Sequence, residues 1–162
     1  MARIPIRPAT PADAETISTL IQQAVRRGNA ADYEPEIIDR ICANFSRGMI
    51  VRRMAEREVF VGEVDGQIAG TVSLRGDKLY SLFVAVDRHG QGIGRHLVNH
   101  LEAHALGRGV GALRLSAALG ARLFYERLGY RALAFEPRDD GSTWLMFKEL
   151  DTAGQVMPGK VF

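Results

Sequence analysis

The sequence predicts one domain of α/β (α+β) class, a mixed β-sheet of about six to seven strands flanked by helices. Three observations predict it. Apolar runs typical of strands alternate along the chain with runs that have the 3.6-residue period of helices. The length of 162 residues suits one domain. Neither an internal repeat nor a low-complexity linker divides the chain. We therefore expect the order β-α-α-β-β-β-α-β-α-β-β over residues 1–162, with residues 151–162 as a tail of uncertain structure.

The first part of the chain combines one strand with a helical arm. A short alternating strand ends at Pro8. A threonine, a proline and an aspartate then begin an amphipathic helix, which Gly28-Asn29 ends. A second helix begins near Pro35, and residues 49–54 continue this arm after a glycine.

From Glu58 onward the apolar period becomes that of strands. Asp65-Gly66 separates two alternating runs and predicts a two-residue hairpin turn. Residues 79–86 form a nearly continuous apolar run, typical of a strand buried on both faces. A glycine-rich loop follows, and then a helix over residues 92–106.

The last third repeats the alternation of strands and helices. Residues 112–117 predict a strand, residues 119–128 a short helix, and residues 130–135 another strand. A turn at residues 139–142 leads into a final strand at residues 144–150.

Composition excludes several classes of protein. The net charge is only +2 and the basic residues are scattered, so we expect no nucleic-acid partner. No apolar run approaches the roughly 18 residues that cross a bilayer, and the N-terminus lacks the apolar core of a signal peptide. We therefore expect a cytoplasmic protein without a membrane partner. The single cysteine, Cys42, excludes an internal disulfide and any multi-cysteine metal site.

Three histidines, His96, His100 and His104, repeat every four residues on the helix after the glycine loop. A pair at this spacing can chelate a metal. Since no carboxylate is positioned to complete such a site, we predict a solvated helix edge and no bound metal.

The glycine loop Arg88–Gly94 joins the apolar strand to a helix start. The N–H groups of a first helical turn are unpaired, and the helix dipole adds partial positive charge there. Glycines let the backbone approach a phosphate closely, and Arg95 lies beside them. The loop therefore predicts a pyrophosphate site. It lacks the Gly-Lys-Ser/Thr ending of a P-loop and the glycine spacing of a dinucleotide fold. A loop whose glycines only make a turn remains an alternative.

The run from Leu82 to Leu97 closely resembles the acetyl-CoA motif of the GCN5-related N-acetyltransferase (GNAT) superfamily. That motif is an apolar strand followed by Arg/Gln-x-x-Gly-x-Gly/Ala at a helix start. Residues 121–130 resemble a second family motif, and residues 6–13 resemble the usual opening of the family. The resemblance spans roughly residues 4–150. It implies acetyl-CoA as co-substrate and direct acetyl transfer, in a ternary complex, to an amine of a small molecule or peptide.

The resemblance also assigns the cofactor site. Phe83 and Val84 would present backbone groups to the cofactor where their strand splays from its neighbour. Tyr125 matches the family tyrosine that protonates the coenzyme A sulfur and is the predicted catalytic residue. Two positions depart from the pattern: His89 stands where Arg or Gln is usual, and Ala118 where Asn is frequent. The predicted cofactor-binding residues are Leu82, Phe83, Val84, His89, Gly90, Gln91, Gly92, Ile93, Gly94, Arg95 and Tyr125.

The acceptor site is less defined by the sequence. Some family members have a glutamate early in the strand before the loop, and this chain has none there. Asp77 or Glu63 could serve as the base through a water, and an amine of low pKa would need no base. Ser116 either lines the acetyl site or is an ordinary strand-end serine. The predicted walls of the acceptor pocket are Tyr33, Glu34 and Arg47.

A second hypothesis is a non-catalytic acyl-CoA sensor or partner-binding module on the same fold. The departures at His89 and Ala118 favour it, whereas Tyr125 favours an enzyme. Dimerisation is common in the family, so the resemblance also allows a homodimer.

Overall fold

The computed structural model describes residues 4–150, and the predicted tail lies outside them. Within this part of the chain, one seven-stranded sheet is flanked by five helices, which confirms the predicted fold class. The strands are β1 (Ile6–Pro8), β2 (Glu58–Val64), β3 (Gln67–Arg75), β4 (Lys78–Val84), β5 (Ala112–Ala118), β6 (Arg131–Glu136) and β7 (Thr143–Glu149). The helices are α1 (Ala14–Gly28), α2 (Pro35–Ala43), α3 (Arg47–Met54), α4 (Ile93–Gly107) and α5 (Arg122–Arg127).

The sheet has the order β1-β2-β3-β4-β5-β7-β6. All neighbouring strands are antiparallel except β4 and β5, which are parallel, so the sheet is mixed as predicted. The hairpin turn between β2 and β3 is also confirmed: Asp65 and Gly66 both have positive φ, at 53° and 74°.

The helical arm before β2 contains three helices, whereas the sequence predicted two. Residues 49–54 belong to the separate helix α3. Its N-cap is Ser46, whose hydroxyl accepts a hydrogen bond from the Met49 N–H at 3.3 Å. Because an N-cap residue leaves helical geometry, this serine separates α2 from α3.

Helices cover both faces of the sheet and create two apolar cores. On one face, the side chains of Leu97, Val98 and Leu101 of α4 are completely buried. On the other face, α1 packs with α2 and α3, and its Ile17 and Ile21 are buried. Gly70 of β3 brings α4 close to the sheet, since a Cβ there would lie 2.8 Å from Leu97 Cδ1.

Strand β4 contains a β-bulge that opens the sheet. Its pairing with β3 shifts register opposite Thr71–Ser73, and Ser81 has a φ of 53°. Pairing between β4 and β5 is confined to Lys78 with Arg114 and Leu79 with Leu115. Beyond these pairs the two strands diverge, as the resemblance implied.

The burial predicted for the apolar run at 79–86 is wrong. Leu79 is buried, but the remaining residues of β4 are half-buried, because β5 moves away and leaves their edge open. The strand also ends at Val84, and Val86–Arg88 form a 3₁₀ turn.

The prediction of a solvated histidine edge on α4 is also wrong for two of its three residues. The rings of His100 and His104 pack edge-to-face on Phe60 of β2, at 5.2 and 5.1 Å between ring centroids. His104 Nε2 lies 3.1 Å from Glu58 Oε1. Among residues 4–150, no helix is long and apolar enough to cross a membrane.

Candidate active site

The space between the diverging strands β4 and β5 forms one cleft of about 720 Å³. It extends from the N-terminus of α4 to the helical arm α1–α2 and the loop between β6 and β7. Its lining includes apolar groups such as Ile41, Phe45 and Phe83, and polar groups such as Asn29 and Thr143. A single continuous cleft can therefore hold a long ligand at one end and a second ligand at the other.

The N-terminus of α4 lies at one end of the cleft and has the geometry that suits an anion. Gly90 and Gly92 have positive φ values of 81° and 77°, which glycine adopts without strain. The first backbone hydrogen bond of α4 runs from His96 N to Gly92 O at 3.0 Å. The N–H groups of Ile93 and the next residues therefore have no partner within the helix, as an incoming phosphate requires.

The structure brings together nearly all predicted cofactor-binding residues. His89 is exposed at the cleft, whereas the Arg88 guanidinium lies 3.3 Å from Asp65. Gln91 is exposed and lies outside the cleft lining. Ala118, at the position where the family often has Asn, also faces the cleft. The predicted residues in the lining are Leu82, Phe83, Val84, His89, Gly90, Gly92, Ile93, Gly94, Arg95 and Tyr125.

Tyr125 of α5 is buried in the wall of the cleft. Its ring packs edge-to-face against Phe124 and Tyr130, at 5.1 and 5.7 Å between centroids. Its hydroxyl forms no hydrogen bond with another residue of the described part of the chain. Burial raises the pKa of Tyr125 above its usual value near 10, so the phenol stays protonated at neutral pH. Within residues 4–150, the side chain is therefore a proton donor without an acceptor.

Tyr33 closes the arm end of the cleft. Its hydroxyl donates to the Ser142 carbonyl oxygen at 2.7 Å and accepts from the Leu119 N–H at 3.0 Å. Gly141, in the same loop as Ser142, packs against the Tyr33 ring. One phenol thus joins the helical arm to the end of β5 and to the β6–β7 loop.

Ser116 lies in the cleft wall one residue beyond the last pair of β4 with β5. Its hydroxyl donates to Glu136 Oε1 at 2.8 Å, and the Thr143 hydroxyl donates to the same oxygen at 2.8 Å. Thr143 also lines the cleft. Sequence reasoning missed Glu136, because only the register between β5, β7 and β6 places it beside Ser116.

The two acidic residues predicted near the acceptor lie outside the cleft lining. Glu63 Oε1 lies 3.1 Å from the Arg7 guanidinium, at the end of β2 beside β1. Asp77 precedes β4 and lies 3.0 Å from the Arg114 guanidinium. Both carboxylates are engaged by arginines away from Tyr125.

Two further predicted wall residues also lie outside this lining. Arg47 is exposed at the start of α3. Glu34 borders a separate polar cavity of about 410 Å³ on the other side of Tyr33. Of the predicted walls, Tyr33 is the one that reaches the cleft.

A mixed sheet that splits beside a helix N-terminus with unpaired N–H groups has the geometry to hold a long phosphate-bearing ligand. The sequence matches the family "Acetyltransferase (GNAT) domain" over residues 29–150. The chain therefore belongs to the GNAT acetyltransferase family, which confirms the resemblance found in the sequence. A search of curated proteins found no significant match.

Solved structures with the same fold cover nearly the whole chain. A GCN5-related N-acetyltransferase (aminotransferase, class-II) from Rhodopseudomonas palustris is 25% identical, with a TM-score of 0.87 over 93% of this chain and 98% of the other. PaiA N-acetyltransferase from Thermoplasma acidophilum, solved with coenzyme A, is 19% identical, with a TM-score of 0.77 over 91% and 99%. YncA from Salmonella typhimurium, solved with its cofactor acetyl-CoA, is 21% identical, with a TM-score of 0.65 over 93% and 95%.

Proposed function

We propose that the chain is an acetyl-CoA-dependent N-acetyltransferase that moves an acetyl group directly to an amine of a small molecule or peptide. The observation that carries the proposal is the protonated, buried phenol of Tyr125 in the wall of a cleft that begins at the N-terminus of α4. A bare binding module would need the anion site but not a proton donor held in the wall of the cleft.

The cleft fits coenzyme A by its chemistry. The pyrophosphate would bind the N–H groups at residues 90–95, where Arg95 adds positive charge. The pantetheine arm would lie along Leu82–Val84, whose backbone pairs with no strand on the side of β5 within residues 4–150. When bound, acetyl-CoA supplies an acetyl group activated as a thioester. Backbone donors fixed beside a thioester oxygen are typically worth about 3–4 kcal/mol at the transition state.

Tyr125 acts in this proposal as the general acid. Its hydroxyl gives its proton to the departing sulfur, whose thiolate would otherwise leave as an anion in an apolar cleft. A positioned acid contributes roughly 10²–10⁴-fold to rate. Burial raises the pKa of this phenol, so it remains protonated across the physiological pH range and holds the proton that the role requires.

The acceptor amine would enter at the arm end, between Tyr33, Ile41 and Phe45 on one side and Thr143 on the other. The apolar and aromatic side chains there exclude water from the reacting groups. Excluding water strengthens each electrostatic interaction in the cleft.

The test is release of free thiol from acetyl-CoA with a panel of primary amines: 2-phenylethylamine, spermidine, L-lysine and a lysine-containing peptide. We expect release with at least one amine. Tyr125→Phe should lower kcat by about 10²-fold, because it removes the proton donor. Coenzyme A should still bind, because the substitution removes only one oxygen atom and leaves the ring in the cleft wall. Tyr80→Phe is the matched control, since Tyr80 lies outside the cleft lining.

Two outcomes would contradict the proposal in different ways. Unchanged kcat in Tyr125→Phe would exclude this tyrosine as the acid. Tight binding of acetyl-CoA without thiol release above hydrolysis, for every amine, would favour the sensor hypothesis.

We also retain the homodimer as a prediction. Leu123 of α5 and Leu133 and Phe135 of the edge strand β6 are large apolar residues that stand about half exposed. Large exposed apolar side chains are typical of protein–protein interfaces when they form one surface. Sedimentation equilibrium of the wild type and of Phe135→Glu would measure the mass and its dependence on this surface.

A further inference from the structure

Two hydroxyl groups of the cleft share one carboxylate oxygen. The oxygens of Ser116 and Thr143 both lie 2.8 Å from Glu136 Oε1. An ionised carboxylate accepts hydrogen bonds and donates none, and each hydroxyl has a single proton. Both hydroxyl protons are therefore committed to Glu136, and only oxygen lone pairs of Ser116 and Thr143 remain for a ligand.

The surroundings keep Glu136 ionised. Burial by itself would raise the pKa of this carboxyl, but the hydrogen bonds from Ser116 and Thr143 lower it on balance, with help from Arg138 and Lys78. The Arg138 guanidinium lies 3.7 Å from Oε2, the oxygen that the two hydroxyls leave free. The Glu136 side chain is 26% exposed, so it can exchange protons with water.

A cleft wall with this polarity selects hydrogen-bond donors and disfavours acceptors. An ammonium group is the donor that gains most, since it carries three N–H donors and a positive charge close to a carboxylate. The position of Ser116 is also suitable for chemistry, because it follows the point where β4 and β5 separate.

We propose, on the basis of the acetyltransferase function above, that Ser116 binds the acceptor as its ammonium form and, with Glu136 behind it, removes the proton that blocks the attack of the amine. An ammonium N–H bond breaks as a new O–H bond forms on Ser116, whose own proton passes to Glu136 Oε1. Glu136 keeps that proton while the neutral amine attacks the thioester, and releases it to water afterwards. Of the three ammonium protons, one stays on the amide, one leaves through Ser116 and Glu136, and one replaces the proton that Tyr125 gives to the sulfur.

We call this path of the proton, from the acceptor through Ser116 to Glu136, the relay. Ser116 touches the acceptor. Glu136 and Thr143 are positioning residues: Glu136 acts through the Ser116 hydroxyl, and Thr143 helps to hold Glu136. The relay supplies the base that the sequence could not identify. It also narrows the acceptor to amines that are protonated at neutral pH.

The first experiment measures kcat against pH at saturating amine for the wild type and Glu136→Gln, with the most active amine of the panel. We expect a nearly flat wild-type profile between pH 6 and 8, because the enzyme removes the proton. In Glu136→Gln the bound ammonium must lose its proton to water. Its kcat should therefore be about 10²-fold lower at neutral pH and rise roughly tenfold per pH unit. Glu149→Gln, at an exposed site of β7, is the matched control and should behave as the wild type.

A double-mutant cycle tests whether Ser116 and Glu136 act together. Ser116→Ala should reproduce the defect of Glu136→Gln, and the double variant should be no more than about threefold worse than either single one. Independent, multiplying effects would overturn the relay.

The third measurement does not depend on turnover. Without acetyl-CoA, Glu136→Gln should weaken binding of 2-phenylethylamine about tenfold and leave binding of 2-phenylethanol, its uncharged analogue, unchanged. Equal weakening of both ligands would indicate only a structural role and would overturn the proposal.

The outcomes separate the two proposals. If the wild type releases thiol with an amine and Glu136→Gln keeps both its kcat and its pH profile, the relay is refuted and the acetyltransferase function stands. If the wild type acetylates no amine, the acetyltransferase proposal fails and the relay fails with it.

Discussion

Replacing Tyr33 with phenylalanine removes one oxygen atom and two hydrogen bonds from the arm end of the cleft. The Tyr33 hydroxyl donates to the Ser142 carbonyl and accepts from the Leu119 N–H, and the residue is only 9% exposed. No other element offers these two backbone groups a partner in the described part of the chain. The substitution therefore leaves one partly buried donor and one partly buried acceptor unsatisfied.

The expected destabilisation follows from these two bonds. Each contributes about 1 kcal/mol net, so Tyr33→Phe should lower the free energy of unfolding by about 2 kcal/mol. For a domain of this length, each kcal/mol corresponds to roughly 2–4 °C, which predicts a fall in Tm of about 4–8 °C. Since Leu119 and Ser142 hold the two loops beside the acceptor, the KM for the amine should rise while coenzyme A binding stays unchanged.

Thermal and urea unfolding of Tyr33→Phe and Tyr80→Phe would measure this difference. The Tyr80 hydroxyl forms no hydrogen bond within residues 4–150, so its removal should change the free energy of unfolding by less than about 0.5 kcal/mol. If Tyr33→Phe unfolds as the wild type does, the bridge does not stabilise the fold and our account of the arm end is wrong.

Two other predictions concern the fold. Gly70→Ala should lower the free energy of unfolding by about 1–3 kcal/mol, because the new Cβ would lie 2.8 Å from Leu97 Cδ1. Gly107→Ala is the control: its Cβ would meet no described atom within 4 Å, so the substitution should be neutral or stabilising. Urea unfolding of the two variants would measure the difference. A hydrogen bond from Arg7 lowers the pKa of Asp13 to about 2. The ionised carboxylate thus stabilises the fold above pH 4 and loses this effect as the pH falls toward 2. Asp13→Asn should flatten this acid limb of the stability curve, and an unchanged limb would exclude the pair as its cause.

Elements whose signals are local could be predicted from the sequence. The apolar period of α1 and the Asp65-Gly66 turn depend on neighbouring residues, and both were found as expected. The start of α3 was missed although Ser46 is a local signal, because a glycine two residues later made a helix start less evident.

Features that depend on strand register could not be predicted. Glu136 lies beside Ser116 because β5 and β6 both pair with β7. The local sequence pattern of a strand indicates neither which strand it pairs with nor in which register. The packing of His100 on Phe60 could not be predicted either, because it also depends on tertiary structure: α4 crosses β2, and 40 residues separate the two side chains in the sequence. The predicted bases Glu63 and Asp77 illustrate the reverse error: proximity in sequence to the cofactor strand does not place a side chain on the cleft side of the sheet.

The incorrect burial of β4 is itself informative about function. Its run of apolar residues is typical of a strand covered on both faces, yet from Tyr80 to Val84 the side chains are half-buried. The bulge at Ser81 explains why: it turns β4 away from β5 and leaves an apolar edge that no other element among residues 4–150 covers. Apolar surface left open in a cleft is stabilised when a ligand covers it. The composition of β4 is therefore consistent with a complex in which the cofactor arm takes the place of the missing strand contact.

On this argument, Phe83→Ser should lower the free energy of coenzyme A binding more than it lowers the free energy of unfolding. The reason is that the Phe83 side chain makes its full set of contacts only when the cofactor covers it. Calorimetry of binding and of unfolding on the same variant would compare the two free energies.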